Sequence, residues 1–375
     1  MKSFSEGSSS MSKVFSIAVF PGDGIGEEVT PVALKLIEQA CQMNNTQCEF
    51  SVLEAGAAHY QKTGVALPET SLQAAHAADA VLLACMGMPS IRYPDGREIA
   101  PQLELREELD LFAGVRPVKT VPNLPLPLAD ERGRKLDFVL IRESTEGLFA
   151  SRNRFVMEGE SGAEVAKDTQ VITRKGSERL FHFAFQTARR RKLLGYPGEV
   201  TCVDKANVLG SFYFFRQVFD EVAREYPDIK ASHIYVDAAA LQLVRQPWIF
   251  DVMVTENMFG DILSDLGAGL MGGMGMAPSA DIGHSLAVFQ PCHGSAPDIM
   301  GQGKANPTAM FLSAAMMLDW LGEKHEHAGM VNAAKQINQA VLAAYQSNQL
   351  LPIEFGGKDG LEQISDKIFR SLETQ

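Results

Sequence analysis

Apolar and polar positions along the chain switch between two periods. Residues 14–20, VFSIAVF, form a short apolar run that ends in the turn residues PGDGIG, and EEVTPVALKLIEQACQ behind it repeats its apolar positions at helical spacing. This predicts a strand, a glycine turn and a helix. The runs ADAVLLACM (78–86), LDFVLIRES (136–144) and FDVMVTEN (250–257) predict further buried strands, each between helical patterns, and the alternation predicts an α/β fold. Two long helices are expected near the end, over 306–321 and 328–348. The segment TVPNLPLPLADERGRK (120–135) is rich in proline and polar residues and predicts a surface connection. The first twelve residues, MKSFSEGSSSMS, are polar and serine-rich with no apolar signal core, which predicts a disordered leader.

Helical periodicity changes the meaning of two acids in VTENMFGDILSDL. Asp261 and Asp265 are four apart, so on a helix both carboxylates leave one face about one turn apart. A bare pair of this kind is ordinarily a solvated face. If it binds an ion, all-carboxylate oxygen ligation suits a hard cation, Mg2+ or Mn2+, since zinc would call for His and Cys ligands.

Composition narrows the partners. The 375 residues are enough for two lobes, and the net charge of -12 argues against nucleic acid or an anionic membrane surface. No run of 18 apolar residues predicts a membrane span. Five cysteines without a CxxC pair fit free thiols in a reducing cytoplasm. An anionic ligand must then be drawn in by local arginines, because a guanidinium fork binds a carboxylate through two parallel charge-assisted hydrogen bonds. GDGIG is not a dinucleotide fingerprint of the G-x-G-x-x-G type, since Glu27 stands where the third glycine belongs. The basic run Arg189–Lys192 is expected to complement a helix C-terminus, and His325 and His327 have no third ligand nearby.

Seven segments occur in one order: PGDGIGEEV, LREELDLFAGVRPVK, IRESTEGLF, DKANVL, VDAAALQLV, VTENMFGDILSDL and HGSAPDIMGQGKANPTAM. Through them the chain, over about residues 14 to 370, resembles the isocitrate/isopropylmalate dehydrogenase family of metal-dependent decarboxylating dehydrogenases. The pattern is closest to the members acting on 3-isopropylmalate and on tartrate or D-malate.

The resemblance implies the following expectations. The fold is the two-domain architecture of the family, with a large cofactor domain from residues 13–111 and 272–375 and a central substrate, metal and dimerisation domain from 112–271. The protein is a homodimer or higher homo-oligomer with its active site between subunits. Arg106, Arg116 and Arg142 clamp the carboxylates of a dicarboxylic 2-hydroxy acid. Lys205 takes the C2 hydroxyl proton together with Asp237 or a water. The cation is held by Asp237 from one subunit and by Asp261 and Asp265 from the other, and K+ is a candidate monovalent ion. His293, Gly294, Ala296, Asp298, Ile299 and Asn306 line the cofactor. Asp298 and Ile299 replace the Lys-Tyr pair of NADP-dependent members, and a carboxylate there would repel a 2′-phosphate, so the cofactor is NAD. Gln290 stands where isopropylmalate dehydrogenases usually carry Glu, and is expected to bear on cofactor affinity.

Two departures divide the functional reading. Phe149 ends the IRESTEGLF segment where relatives carry the tyrosine assigned as proton donor after decarboxylation, and phenylalanine has no hydroxyl to give. A non-catalytic or regulatory member is the alternative from another class, although Lys205 and the three aspartates are intact. The residues expected to touch the C3 substituent are Gln102 and Leu103. Leu103 with Ile99 offers apolar surface, worth about 1 to 3 kcal/mol for a small alkyl group. Gln102, Ser144 and Glu146 leave room for a hydroxyl or hydrogen. The substrates are therefore ranked with 3-isopropylmalate first and tartrate or D-malate behind it, while homoisocitrate is disfavoured.

Overall fold

A computed structural model describes residues 13–152, 156–158, 164–347 and 349–375, so the leader expected over 1–12 lies outside the described residues. The elements run β1 (Val14–Gly22), α1 (Gly26–Met43), β2 (Gln47–Val52), α2 (Ala57–Thr63), α3 (Glu69–Ala77), β3 (Ala80–Cys85) and α4 (Pro101–Glu108). The chain continues through β4 (Ala113–Lys119), β5 (Asp137–Glu143), β6 (Val156–Glu158), β7 (Val165–Lys167), α5 (Arg174–Leu193), β8 (Glu199–Asp204), α6 (Gly210–Ala223), β9 (Lys230–Tyr235) and α7 (Val236–Arg245). It closes with β10 (Val252–Thr255), α8 (Asn257–Leu270), β11 (Pro278–Ile282), β12 (Ala287–Pro291), α9 (Thr308–Lys324), α10 (Ala328–Gln346) and α11 (Leu361–Glu373).

Ten strands form one sheet in the order β2-β1-β3-β12-β11-β4-β5-β10-β8-β9, while β6 and β7 pair only with each other. Strands on both flanks are parallel, as α/β crossovers require, but β11 runs antiparallel to both β12 and β4, and β4 antiparallel to β5. The sheet therefore joins two parallel halves through an antiparallel centre. One half is built from both ends of the chain and the other from its middle. Helices α1, α9, α10 and α11 bury one apolar cluster, and α5 and α6 bury a second against β5, β8 and β10. Burial on both faces explains why β3, AVLLAC, reads as an unbroken apolar run with all six residues buried.

The expected strands and both late helices are present. The segment 120–135 is not a plain surface connection: Val121 and Leu124 are buried in the first cluster, while Asn123, Pro125, Pro127 and most of the stretch from Ala129 through the 3-10 turn Glu131–Lys135 are exposed. The basic run at the end of α5 is neutralised by named partners, Arg189 by Asp228, Arg190 by Asp319 and Glu323, and Arg191 by Asp137 and Asp251. His327 caps α10 by accepting from the Met330 amide. All five cysteines are free, and no helix among the described residues is long and apolar enough to cross a membrane.

Candidate active site

At the antiparallel centre, strand register sets charged side chains side by side. Gly114 of β4 lies opposite Asp281 of β11 on one side and opposite Arg142 of β5 on the other. Only a glycine fits between them, because a Cβ on Gly114 would stand 2.7 Å from Ser144 Oγ and 3.1 Å from Asp281 Oδ1. Arg116 comes from β4, while α4 presents Gln102 and Arg106 one turn apart on one face. The N-terminus of α8 is fixed by Glu256, whose carboxylate accepts from the Phe259 amide, and that helix presents Asp261 and Asp265.

These side chains surround a cleft of about 180 Å³, lined also by Cys85, Met86, Gln290, Cys292, His293 and Gly294. Asp281, 1 % exposed, accepts from Arg106 Nε at 3.0 Å, Arg116 Nη2 at 3.1 Å and Gln290 Nε2 at 2.9 Å. Burial alone would raise its carboxyl, but the charges of Arg106, Arg116 and Arg142 overcome that and hold it at about 2. Arg142, 3 % exposed, donates to Asn257 Oδ1 through Nε (3.0 Å) and Nη2 (2.7 Å), and ion-pairs with Asp261. Burial, followed by repulsion from Arg106, lowers its guanidinium to about 10. Three buried cations thus face one fully buried anion. Asp261 and Asp265 face the same cleft, so what the site offers an anionic ligand is guanidinium donors and not net positive charge, and desolvation makes each charge-assisted contact count for more than it would at the surface.

The structure brings together Arg106, Arg116, Arg142, Asp261, Asp265, Gln102, His293 and Gly294. Lys205 and Asp237 lie together elsewhere, with Lys205 Nζ 2.6 Å from Asp237 Oδ1. That contact is the first cause of a lowered Asp237 carboxyl. Among the described residues no three His, Cys, Asp or Glu side chains of one chain gather so as to hold a metal ion. Asp265 and Asp261 are close enough that burial, then the Asp261 charge, raises the Asp265 carboxyl.

The cofactor-loop residues follow β12. Gly24, at φ +60°, packs where a Cβ would meet the Ser295 carbonyl oxygen at 2.0 Å, and the Ile25 amide donates to that oxygen at 2.9 Å. The first turn of the chain therefore clasps the loop directly. Asp23, 1 % exposed, fixes the turn by accepting from the amides of Ala57, Ala58 and Gly87. His293 sits against the Gly294 carbonyl through Nδ1 at 3.0 Å. Ala296 takes φ +40°, Asp298 is exposed, Ile299 packs on the main core, and Asn306 donates to Glu354 Oε1 at 2.5 Å.

Four residues expected at the C3 pocket, Leu103, Ile99, Glu146 and Ser144, are not among those lining the cleft of the single chain. Leu103 turns away from the cleft into a separate depression with Tyr93, Arg97 and Arg152, because it is one residue on from Gln102 and so about 100° around α4. Ile99 is buried in a small cluster with Ala57 and Ala66. Glu146 is occupied at the start of α5, where it binds the Thr173 amide and hydroxyl, and Ser144 lies beside Asp281 at 3.4 Å. Gln290 donates its side-chain amide to the buried anion of the arginine clamp. Asp281 itself was missed, being one acid in the short polar stretch SADIG with no periodicity to mark it. Phe149 is partly buried, with its ring centroid 5.2 Å from Arg142 Cζ.

The sequence model of the isocitrate/isopropylmalate dehydrogenase family matches residues 16–368. The chain belongs to this family. It is 42% identical over 364 residues, 96% of this chain and 99% of the other, to a 3-isopropylmalate dehydrogenase of Methanothermobacter thermautotrophicus. It is 44% identical over 321 residues, 85% of this chain and 89% of the other, to a 3-isopropylmalate/3-methylmalate dehydrogenase of Methanocaldococcus jannaschii. An isocitrate dehydrogenase structure from Methylococcus capsulatus superposes with a TM-score of 0.83 at 35% identity, covering 96% of this chain and 99% of that one. The α/β architecture expected of the family is thereby shown. Membership makes the protein a decarboxylating oxidoreductase acting on a CH–OH group.

Proposed function

We propose that the protein oxidatively decarboxylates a 3-substituted malate, using NAD and Mg2+ or Mn2+. The observation that carries the reading is the buried trio Arg106, Arg116 and Arg142 around Asp281, whose guanidinium groups face the same cleft as Asp261 and Asp265. The relatives' names put 3-isopropylmalate first among candidate acids.

The cation fits the donors present. Asp261 and Asp265 offer only carboxylate oxygens one turn apart, and their mutual repulsion is of the kind that a bound cation relieves. Asp237 would complete the ligand set from a second copy. Two features support such a copy: apolar side chains are exposed on α6 (Tyr213), α7 (Leu241, Val244) and α8 (Ile262) and just ahead of α6 (Val208), and every residue of β6 and of β7 is exposed. A homodimer gives both sets a role. The large domain then comprises residues 13–111 and 272–375, and the central one 112–271. The crossings fall just before β4 and at the end of α8.

In this account the arginines bind and orient the two carboxylates, and Lys205, held by Asp237, accepts the C2 hydroxyl proton of a substrate clamped by the other copy. Asp261 and Asp265 with a second copy's Asp237 would hold the cation, which would supply polarisation of the C2 oxygen, and the loop from His293 to Asn306 would hold NAD, which would supply the hydride acceptor. The loop from His293 to Asn306 suits the dinucleotide, and the exposed carboxylate of Asp298 favours NAD over NADP. Intact Lys205 and aspartates favour an enzyme over a non-catalytic member, with Phe149 limiting the final protonation. The test is NADH formation from the acid with Mn2+ and K+ present. The reading requires faster turnover with NAD than with NADP and loss of activity on chelation, and metal-independent turnover would sink it.

A further inference from the structure

Apart from the cleft, a cavity of about 590 Å³ opens between α1, α11 and the turn at 302–304, and none of His293, Asp298, Ile299 and Asn306 lines it. Its walls are apolar at Val32, Ile353, Leu361 and Phe369, and its polar side carries Lys35, Lys304 and Lys358. Lys35 Nζ lies 5.0 Å from the centroid of the Phe369 ring, while Lys304 and Lys358 are exposed and have no ion-pair partner among the described residues. Among the lining residues these three lysines outnumber two acids, Glu362 and Asp366. Asp359 is turned to the Leu351 amide, from which it accepts at 2.6 Å, and Glu28 accepts from the Gly303 amide at 3.3 Å.

The cavity takes in the N-terminus of α11, and that end is uncapped. The helix is preceded by Gly360, where a Cβ would stand 2.2 Å from the Gly303 carbonyl oxygen, so the close approach of the 302–304 turn admits only glycine. Gln363 Oε1 accepts from the Gly360 amide at 3.1 Å, which is half of a capping box, but glycine has no side chain to return the bond. The Leu361 amide donates to the Gly303 carbonyl at 2.8 Å, and the amides of Glu362 and Gln363 have no acceptor among the described residues. Open amides of this kind, with the positive end of the helix dipole behind them, bind anions. A second observation points the same way. One turn on from Leu361, Ser365 is 3 % exposed, lines the same cavity, and its hydroxyl has no hydrogen-bond partner. A buried hydroxyl without a partner is destabilising, which calls for a ligand that supplies one.

We propose that this cavity binds a phosphomonoester with an aromatic body. The phosphate is taken by the open end of α11 with Lys304 and Lys358, the ring lies on Phe369 and Val32, and the Ser365 hydroxyl donates to the ligand. Two open amides, a hydroxyl and two unpaired ammonium groups suit the three terminal oxygens and nearly double charge of a phosphomonoester better than the two oxygens and single charge of a carboxylate. Apolar walls with a few convergent polar groups are the usual make-up of a small-molecule site, and the volume is of the usual size. The site uses no residue of the cleft and meets the proposed cofactor loop only at 302–304.

The experiment is isothermal titration calorimetry on the full chain, with and without saturating NADH, using phenyl phosphate, inorganic phosphate and benzoate as probes. Phenyl phosphate should bind saturably and at least about tenfold more tightly than inorganic phosphate, which lacks the ring, and than benzoate, which lacks the second charge. Lys304→Gln combined with Lys358→Gln should weaken it by at least about tenfold. Ser365→Ala should weaken it severalfold without lowering the melting temperature of the ligand-free protein, because the hydroxyl removed is unpaired there; a merely structural serine would lower it. No saturable binding of phenyl phosphate, equal binding of benzoate, an affinity unchanged in the double lysine variant, or displacement by NADH overturns the proposal, and each leaves the dehydrogenase reading standing.

Discussion

Replacing Asp281 by Asn removes the one fully buried anion among three buried guanidinium groups, while leaving shape and volume nearly unchanged. Removing one partner of a buried pair typically costs about 3–5 kcal/mol, because the remaining charge is left desolvated. For a chain of this length that corresponds to a fall in melting temperature of roughly 4–6 °C at pH 7. The pH dependence separates charge from packing. The folded carboxyl is held at about 2, below its usual 3.8, so the stabilisation is fully present above the unfolded value and is lost as pH falls through the folded one. The shift corresponds to about 2 kcal/mol in total, of which about 1 kcal/mol is gone by pH 3. Urea unfolding of wild type and Asp281→Asn at pH 7, 3 and 2 should therefore show a stability gap that narrows by about these amounts. A gap independent of pH, or a variant as stable as wild type at pH 7, would refute the claim that Asp281 neutralises the clamp.

Other outcomes follow from the same geometry. Phe149→Tyr restores the hydroxyl that relatives use as proton donor and should raise kcat if protonation limits turnover, by up to about 100-fold, read from steady-state kinetics; an unchanged kcat means that this step is not limiting. Gly24→Ala adds a Cβ 2.0 Å from the Ser295 carbonyl at φ +60°, so it should lower the melting temperature and raise the KM for NAD far more than that for the acid. Asp237→Asn and Asp261→Asn should each be nearly inactive as pure proteins. If each active site takes Asp237 from one copy and Asp261 from the other, refolding the two variants together should recover roughly a quarter of wild-type activity, and no recovery would place the ligands in one chain. Mn2+ should raise the melting temperature of wild type but not of Asp261→Asn, as mass action on a folded-state site requires.

Much of the fold was legible because apolar period and burial agree. In β1, β3, β5 and β10 the strands are covered on both faces and read as apolar runs, and α9 and α10 keep helical spacing over many turns. The antiparallel centre was not legible. β4 reads AGVRPVK and β11 reads PSADI, and between them they carry an arginine, a serine and an aspartate of the site where an ordinary strand would place apolar residues. The site itself obscures the strands that build it. The arginines and α8 aspartates were legible because their segments keep family motifs. Motif spacing set Gln102 and Leu103 side by side as candidates but did not say which of them lines the cleft of the single chain, because neighbouring residues on a helix point about 100° apart.

The most direct test follows NADH and CO2 together in one reaction of purified protein with NAD, Mn2+ and K+ over 3-isopropylmalate, D-malate, tartrate, isocitrate and homoisocitrate. The account predicts that at least one malate-type acid yields NADH and CO2 in equal amounts. NADH without CO2 would contradict decarboxylation, and neither product from any acid, with acid binding still visible as a thermal shift, would show that the cleft binds without turning over.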